Sequence, residues 1–85
     1  MRFTAATLGE AYDRLGNAAA RLARKAEGPD RITRYQEARQ GYQEARALFA
    51  ALRDQGALMP TNAGQIEAFE AKIAATDQAL AEASH

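Results

Sequence analysis

Side chains that could act as nucleophiles or as general acids and bases are scarce in this sequence. There is no cysteine, which excludes a thiolate nucleophile, a thiolate metal site and a disulfide framework. The one histidine, His85, is the last residue and follows Ser84, so we expect neither side chain to be held in a defined geometry. A catalytic site built on either residue is not expected.

Pairs of glutamates are the remaining groups that could do acid–base chemistry or bind a metal ion. Glu67 and Glu70, like Glu37 and Glu44, have spacings that place each pair on one face of a helix. Di-metal sites in helical bundles use Glu-x-x-His motifs on facing helices, and the sequence has none. Charged helix surface is a sufficient explanation, so we predict a non-enzymatic protein without a cofactor or a bound metal.

An aromatic residue followed four positions later by arginine occurs three times in the middle of the chain. The pairs are Tyr35 and Arg39, Tyr42 and Arg46, and Phe49 and Arg53. One interpretation is a stripe that docks a protein partner through ring and guanidinium contacts. The other is that the rings form the core while the arginines extend over its edge and pair with another helix. The partner-binding candidates on the first interpretation are Tyr35, Arg39, Tyr42 and Arg46.

A basic cluster gives a second set of candidate binding residues. Its members could contact phosphate groups, and they are Arg14, Arg21, Arg24, Lys25, Arg31 and Arg34. Acidic residues interrupt the cluster, and no helix-turn-helix spacing, zinc-ligand set or aromatic RNA-binding strand accompanies it. Nucleic-acid binding through the first helix and residues 28–34 is therefore the alternative function, with a solvated helix face as the default explanation.

Charges are balanced overall but polarised along the chain. Of the 85 residues, 11 are basic and 11 acidic; residues 1–53 carry ten basic against six acidic (+4) and residues 54–85 one against five (−4). This split favours pairing between helices of the two parts. No stretch approaches the roughly 20 apolar residues that span a bilayer, and the N-terminus lacks the apolar core of a signal peptide, so we expect a cytoplasmic protein.

The composition favours helices over strands. Alanine occurs 22 times and isoleucine three times, while valine and tryptophan are absent. The nine arginines against two lysines, together with the abundant alanine, indicate a GC-rich bacterial or phage genome.

Two breaks, each combining a glycine with a proline, divide the chain into three segments. They are Gly28-Pro29 and the run 56–62, which contains Gly56 and Pro60. We therefore predict a single all-α domain, a three-helix antiparallel bundle, with helices at about residues 5–27, 30–55 and 62–82.

Each predicted helix repeats its apolar residues at alternating steps of three and four, the spacing of coiled-coil-like heptad packing. The first seam is Leu8, Tyr12, Leu15, Ala19, Leu22 and Ala26. The second is Tyr35, Ala38, Tyr42, Ala45, Phe49 and Leu52, and the third is Ile66, Phe69, Ile73, Thr76 and Leu80. We expect all three seams to be buried.

Charges beside the seams predict how the second and third helices meet. In an antiparallel hairpin folded about residues 56–61, Arg46 lies near Glu70 and Arg39 near Asp77. Exposed pairs of this kind contribute only about 0 to 1 kcal/mol each, so we expect them to set the register more than the stability.

Small residues flank the seam of the first helix. Gly9, Gly16 and Ala23 follow its leucines, and each glycine costs about 1 kcal/mol of helix stability relative to alanine. We predict that Gly9 and Gly16 form a close-packing strip for a neighbouring helix. The sequence leaves open whether that neighbour is the second helix, the third helix or a second chain.

Residues 8–17, Leu-Gly-Glu-Ala-Tyr-Asp-Arg-Leu-Gly-Asn, resemble the first helix of a tetratricopeptide repeat, and residues 41–45 resemble the start of its second. That resemblance implies short helices with turns at Gly16 and Gly41. The prolines at 29 and 60 are 31 residues apart, however, so the 34-residue repeat period is missing. We interpret the likeness as convergent helical-hairpin chemistry and retain three long helices.

These observations predict a helical protein–protein interaction module, such as an adaptor, an assembly factor or a small inhibitor of a larger bacterial or phage complex. The expected partner is another protein, with homo-oligomerisation left open, and no membrane role is expected.

Overall fold

Three α-helices form the computed structural model, which describes residues 5–84. They are α1 (Ala5–Lys25), α2 (Pro29–Asp54) and α3 (Gln65–Ala83), and a single 3-10 turn at Pro60–Asn62 precedes α3. Consecutive helices run antiparallel, and the described residues contain no strand. The predicted all-α, three-helix antiparallel bundle is confirmed.

Glycines with positive φ angles lie at both breaks that the sequence predicts. Gly28 immediately precedes α2, and Gly56 follows it. Gly28, at φ 59°, precedes Pro29, which occupies the first turn of α2, where a missing N–H costs nothing. Gly56, at φ 70°, ends α2, and the N–H of Ala57 donates to the carbonyl of Leu52 at 2.8 Å. This is the Schellman arrangement, which needs a left-handed residue and therefore favours glycine.

Two helix boundaries differ from the prediction. Helix α1 ends at Lys25 rather than near residue 27. Helix α3 begins at Gln65 rather than near residue 62, because the N–H of Asn62 donates to Met59 O at 2.8 Å and closes a 3-10 turn first. Asn62 therefore does not cap α3, and Gly64 holds that position.

Helix α2 is the centre of the molecule. Helices α1 and α3 each pack chiefly against it, and the whole measures 42 × 27 × 16 Å. The main apolar cluster joins α2 to α3 through Ala45, Phe49, Ile66 and Phe69, with the two phenylalanine rings 5.3 Å apart between centroids. A second cluster consists of Ala19, Ala20, Ala38 and Tyr42.

The predicted seams of α2 and α3 are confirmed. Four of the six seam residues of α2 are buried, and Tyr35 and Leu52 at its ends are half-buried. In α3, Ile66, Phe69 and Thr76 are buried. The Thr76 hydroxyl donates to the Lys72 carbonyl at 2.7 Å, which satisfies the one polar group of that seam.

The predicted seam of α1 is confirmed at Ala19, which is buried, and at Tyr12, which packs against the main apolar cluster, but it is wrong at its three leucines. Leu8, Leu15 and Leu22 are 42%, 62% and 49% exposed, whereas the residue after each of them is buried. Helix α1 is therefore turned by less than the roughly 100° of one residue step, so that Gly9, Gly16 and Ala23 face α2 together with Tyr12 and Ala19. It faces α2 with its glycines and alanines and leaves its leucines outside.

Candidate functional site

The contact between α1 and α2 explains why the leucines of α1 are outside. A Cβ atom placed on Gly9 would lie 2.6 Å from the Phe49 ring, and one on Gly16 would lie 2.7 Å from the Tyr42 ring. The two rings, 1% and 5% exposed, thus occupy the space that side chains would fill. Because the large rings of α2 fill this space, only residues with small side chains or none can face them from α1.

Gly41 brings the two backbones together at the middle of this contact. Its own Cβ position would lie 2.9 Å from the Tyr12 carbonyl oxygen and 3.0 Å from the Gly16 nitrogen. The predicted close-packing strip of Gly9 and Gly16 is therefore found, and the neighbour that the sequence left open is α2. Gly41 completes the contact by lying against the backbone of α1.

A three-residue pattern recurs every seven residues along α1 and sorts its surface into parallel rows. Arg14-Leu15-Gly16 is followed by Arg21-Leu22-Ala23. Successive residues lie about 100° apart on a helix, so a row of leucines separates the buried small residues from a basic row. We name the exposed row of Leu8, Leu15 and Leu22 the leucine stripe.

The basic row is exposed to solvent. It consists of Arg14, Arg21 and Lys25, whose steps of seven and four keep them on one side of the helix. Among residues 5–84 none of the three forms an ion pair. We call these three residues the basic edge of the leucine stripe.

A groove between α1 and α2 borders the leucine stripe on its other side. It has a volume of about 380 Å³, and Leu15 and Tyr12 line it from α1. The α2 wall is polar and contains Glu37, Gln40 and Glu44. We call Glu37 and Glu44 the acidic edge. The apolar stripe thus has the basic edge along one side. On the other side Glu37 lies 3.2 Å from the Arg34 guanidinium, and Glu44 forms no ion pair among residues 5–84.

The partner-binding candidates on α2 lie against α1 and α3. Tyr42 is buried, and Tyr35, in the second turn of the helix, is half-buried. Arg39 pairs with Asp77, and Arg46 lies 3.8 Å from the Glu70 carboxylate, so the predicted charge pairing of α2 with α3 is confirmed. Both pairs are partly exposed, which fits a role in register.

A polar cluster joining all three helices was not foreseen from the sequence. The Tyr42 hydroxyl donates to Asn17 Oδ1 at 2.6 Å, and Lys72 Nζ donates to Asp13 Oδ1 at 2.7 Å. The Lys72 ammonium also lies 5.3 Å from the Tyr42 ring centroid, a cation–π distance. Because these residues lie between 25 and 59 positions apart, no local pattern links them.

Burial raises the pKa of the Tyr42 phenol above its usual value, and the nearby Asp13 carboxylate raises it further. The Arg24 guanidinium lowers the same pKa, but by less. The phenol therefore stays neutral as a hydrogen-bond donor at physiological pH, so this cluster connects the helices rather than supplying a reactive group.

The residues proposed for phosphate contacts do not form one surface. Arg31 donates through Nε to the Ala26 carbonyl at 2.9 Å, and Arg34 lies 3.2 Å from the Glu37 carboxylate. Arg24 is exposed, lies about 100° round the helix from Lys25, and lines a groove with Tyr42 and Lys72. The basic edge is the part of the predicted set that lies together.

Two of the carboxylates considered for catalysis lie beside arginines. Glu70 lies beside Arg46 and Glu37 beside Arg34. Within residues 5–84 no three His, Cys, Asp or Glu side chains are grouped so that they could hold a metal ion. His85 lies outside the described residues, and the Ser84 hydroxyl donates to the Leu80 carbonyl of the preceding helix.

None of the helices within residues 5–84 has the length and apolar character to cross a membrane.

Comparison with known proteins adds no relative from which a role could be transferred. No protein-family model matches the chain, the tetratricopeptide repeat included, and helices α1 and α2 run uninterrupted through Gly16 and Gly41. No curated protein and no solved structure matches it either.

Proposed function

We propose that this protein is a non-enzymatic interaction module that binds an amphipathic helix of another protein chain through the leucine stripe of α1. The observation that carries the proposal is three leucines in one row, each about half exposed, on a helix whose neighbouring row is already buried against α2. Rows of exposed leucine lower the solubility of a free chain, and large exposed apolar patches mark interaction sites.

The groove beside Leu15 supports a helix as the ligand. An amphipathic helix recognises such a surface by laying its apolar residues into it at steps of three and four. The flanking charges add a requirement for the ligand, which must present acidic residues towards the basic edge and basic residues towards Glu44. An adaptor, an assembly factor or a small inhibitor of a larger complex would use this mode of binding.

This proposal moves the binding surface from α2 to α1. Tyr35, Arg39, Tyr42 and Arg46 border α3 or α1, and we expect their substitution to act first on the α2–α3 hairpin. The proposed setting, the cytoplasm of a bacterial or phage-infected cell, is supported by composition alone.

Affinity capture with matched variants tests the proposal. Leu15→Glu puts a charge in the leucine stripe, whereas Ala68→Glu puts the same charge on an exposed position of α3. From an extract of the host cell, wild type and Ala68→Glu should retain the same proteins, and Leu15→Glu should lose them. Retention by all three would contradict binding through α1.

The basic edge favours nucleic-acid binding as a second candidate. Arg14, Arg21 and Lys25, which form no ion pair within residues 5–84, could follow a phosphate backbone along one side of α1. An electrophoretic mobility shift at low salt separates the two functions. The interaction proposal predicts no shift, and a steeply salt-dependent shift that is lost in Arg14→Ser and Arg21→Ser would establish the alternative.

A further inference from the structure

We infer that the helix bound by the leucine stripe is α1 of a second copy of this chain, and that the two α1 helices lie parallel about a twofold axis. This inference rests on the proposed function and identifies its partner. It follows from the order of the three rows on the surface, which runs from the basic edge through the leucine stripe to the acidic edge.

A twofold axis parallel to α1 makes this surface complementary to itself. When two copies face each other with α1 pointing the same way, the left side of one meets the right side of the other. The basic edge of each copy then meets the acidic edge of its partner, twice per dimer. Each leucine of the stripe meets the same leucine of the other copy, as at the core positions of a parallel coiled coil.

An antiparallel arrangement does not have this property. Turning one copy end over end places its basic edge against the basic edge of the other, and the acidic edges together on the far side. Like charges facing each other across an interface oppose association. The same apolar contact is therefore accompanied by attraction in one orientation and by repulsion in the other, and charge selects the parallel dimer.

Arg14 and Glu44 are the two charges that this dimer would pair most directly. Neither forms an ion pair among residues 5–84. Gly41 lies opposite Tyr12 and Gly16, so Glu44, three residues further along the antiparallel α2, lies nearer the N-terminal end of α1. Side chains on a helix point towards its N-terminus, which directs Arg14 of one copy towards Glu44 of the other.

The size of the surface implies a reversible dimer. Helix α1 has 21 residues and is about 32 Å long. With a width of one to two helix diameters, each copy contributes roughly 300 to 600 Å², at or below the lower end of specific interfaces. We expect association that depends on concentration, with a dissociation constant in the micromolar range or weaker.

Sedimentation equilibrium between about 5 and 500 μM tests whether the dimer exists. Wild type and Ala68→Glu should pass from monomer to dimer across this range, and Leu15→Glu should remain monomeric with unchanged helical content. A wild-type chain that is monomeric throughout would overturn the inference. The capture experiment would then test the proposed function separately, because it compares Leu15→Glu with wild type for binding to other proteins.

Charge reversal tests the parallel orientation. Arg14→Glu and Glu44→Arg should each weaken the dimer about tenfold, and the double variant should recover most of the loss because it restores the pair with opposite polarity. An antiparallel dimer predicts the reverse, since each single change would relieve repulsion. Dimerisation unaffected by either change, or strengthened by both, would overturn the orientation.

Disulfide trapping gives an independent measure of orientation, because the chain has no cysteine of its own. In the parallel dimer, Leu8→Cys and Leu22→Cys should each form a covalent dimer alone under mild oxidation, faster than the collision control Ala68→Cys. In an antiparallel dimer, residue 8 meets residue 22, so only a mixture of the two variants would cross-link efficiently. The second result would contradict the inference.

Discussion

At the scale of single residues, the molecule depends on glycines that accept aromatic rings or backbone from a neighbouring helix. Gly9 and Gly16 lie under Phe49 and Tyr42, and Gly41 lies against the backbone of α1. In an isolated helix each glycine would be destabilising, and here each removes a steric conflict. Their role is a property of the facing helix and cannot be read from the glycine itself.

Gly41→Ala should destabilise the fold despite the better helix propensity of alanine. The new methyl group would lie about 3 Å from the Tyr12 oxygen and the Gly16 backbone, which cannot move aside as a side chain can. Overpacking costs about 1 to 3 kcal/mol, and the gain in propensity is at most about 1 kcal/mol. Urea denaturation should therefore show a net loss of about 1 to 2 kcal/mol.

The matched control for this change is Gly64→Ala. Gly64 has a negative φ angle and no atom within 4 Å of its Cβ position, so its substitution should alter the free energy of unfolding by less than about 0.5 kcal/mol. If Gly41→Ala proved as stable as wild type, the close contact between α1 and α2 would be refuted.

Tyr42 predicts a specific dependence of stability on pH. Burial and Asp13 raise the pKa of its phenol in the folded state, so above the usual tyrosine pKa of about 10 the unfolded chain loses this proton first. The stability that the neutral Tyr42 phenol contributes is fully present below that pH and is lost as the pH rises through the folded-state pKa. Stability should therefore fall more steeply above about pH 10 in wild type than in Tyr42→Phe.

Urea denaturation of both proteins at about pH 8 and about pH 10.5 provides the comparison. At the lower pH, Tyr42→Phe should be less stable by about 0.5 to 1.5 kcal/mol, because Asn17 Oδ1 loses its donor. The difference in free energy of unfolding between wild type and Tyr42→Phe should be smaller at the higher pH, because only wild type loses the Tyr42 contribution there. An equal loss for both proteins would show that the Tyr42 phenol does not titrate as its surroundings indicate.

At the scale of helices, the sequence predicted α2 and α3 well and misplaced the face of α1. The seams of α2 and α3 contain large rings or branched chains with no competing apolar row, so heptad spacing identifies one buried face. Helix α1 carries two adjacent rows that both avoid charge, leucines and small residues. Heptad spacing alone favours the larger side chains, although packing against Tyr42 and Phe49 requires the smaller ones.

The surface that we propose for binding was not predicted, for the same reason. Heptad spacing places the leucines in the core, which leaves the aromatic and arginine repeat of α2 as the expected binding residues. In the structure the rings of Tyr42 and Phe49 are part of the core. Arg39 and Arg46 form ion pairs with acidic residues of α3. The signal available in the sequence was the Gly-x6-Gly spacing beside the leucines, which required a partner helix to interpret.

Reversing the arginines of α2 should weaken the hairpin without unfolding it. Arg39→Glu with Arg46→Glu removes two partly exposed pairs and sets like charges against Asp77 and Glu70. We expect a loss of about 1 kcal/mol in the free energy of unfolding, with helical content retained, by urea denaturation followed by circular dichroism. Adding Glu70→Arg and Asp77→Arg should restore most of it, and a failure to restore would contradict the register.

At the scale of the whole molecule, a thin bundle leaves one large apolar row outside. Only α2 is covered on two sides, and the shortest dimension is 16 Å. A domain of 85 residues buries a modest core, so a second chain on α1 would add apolar burial that the monomer lacks. The self-association that we propose therefore depends on the orientation of α1.

The orientation of α1 is the central claim, and the reactivity of neighbouring cysteines measures it directly. Leu22 is 49% exposed and Ala23 is fully buried, although they are adjacent in sequence. In the monomer at high dilution, Leu22→Cys should react with a thiol reagent nearly as fast as in urea. Ala23→Cys should be protected until the protein unfolds. Fast labelling at residue 23 with protection at residue 22 would show that the leucines face α2 and would contradict the account.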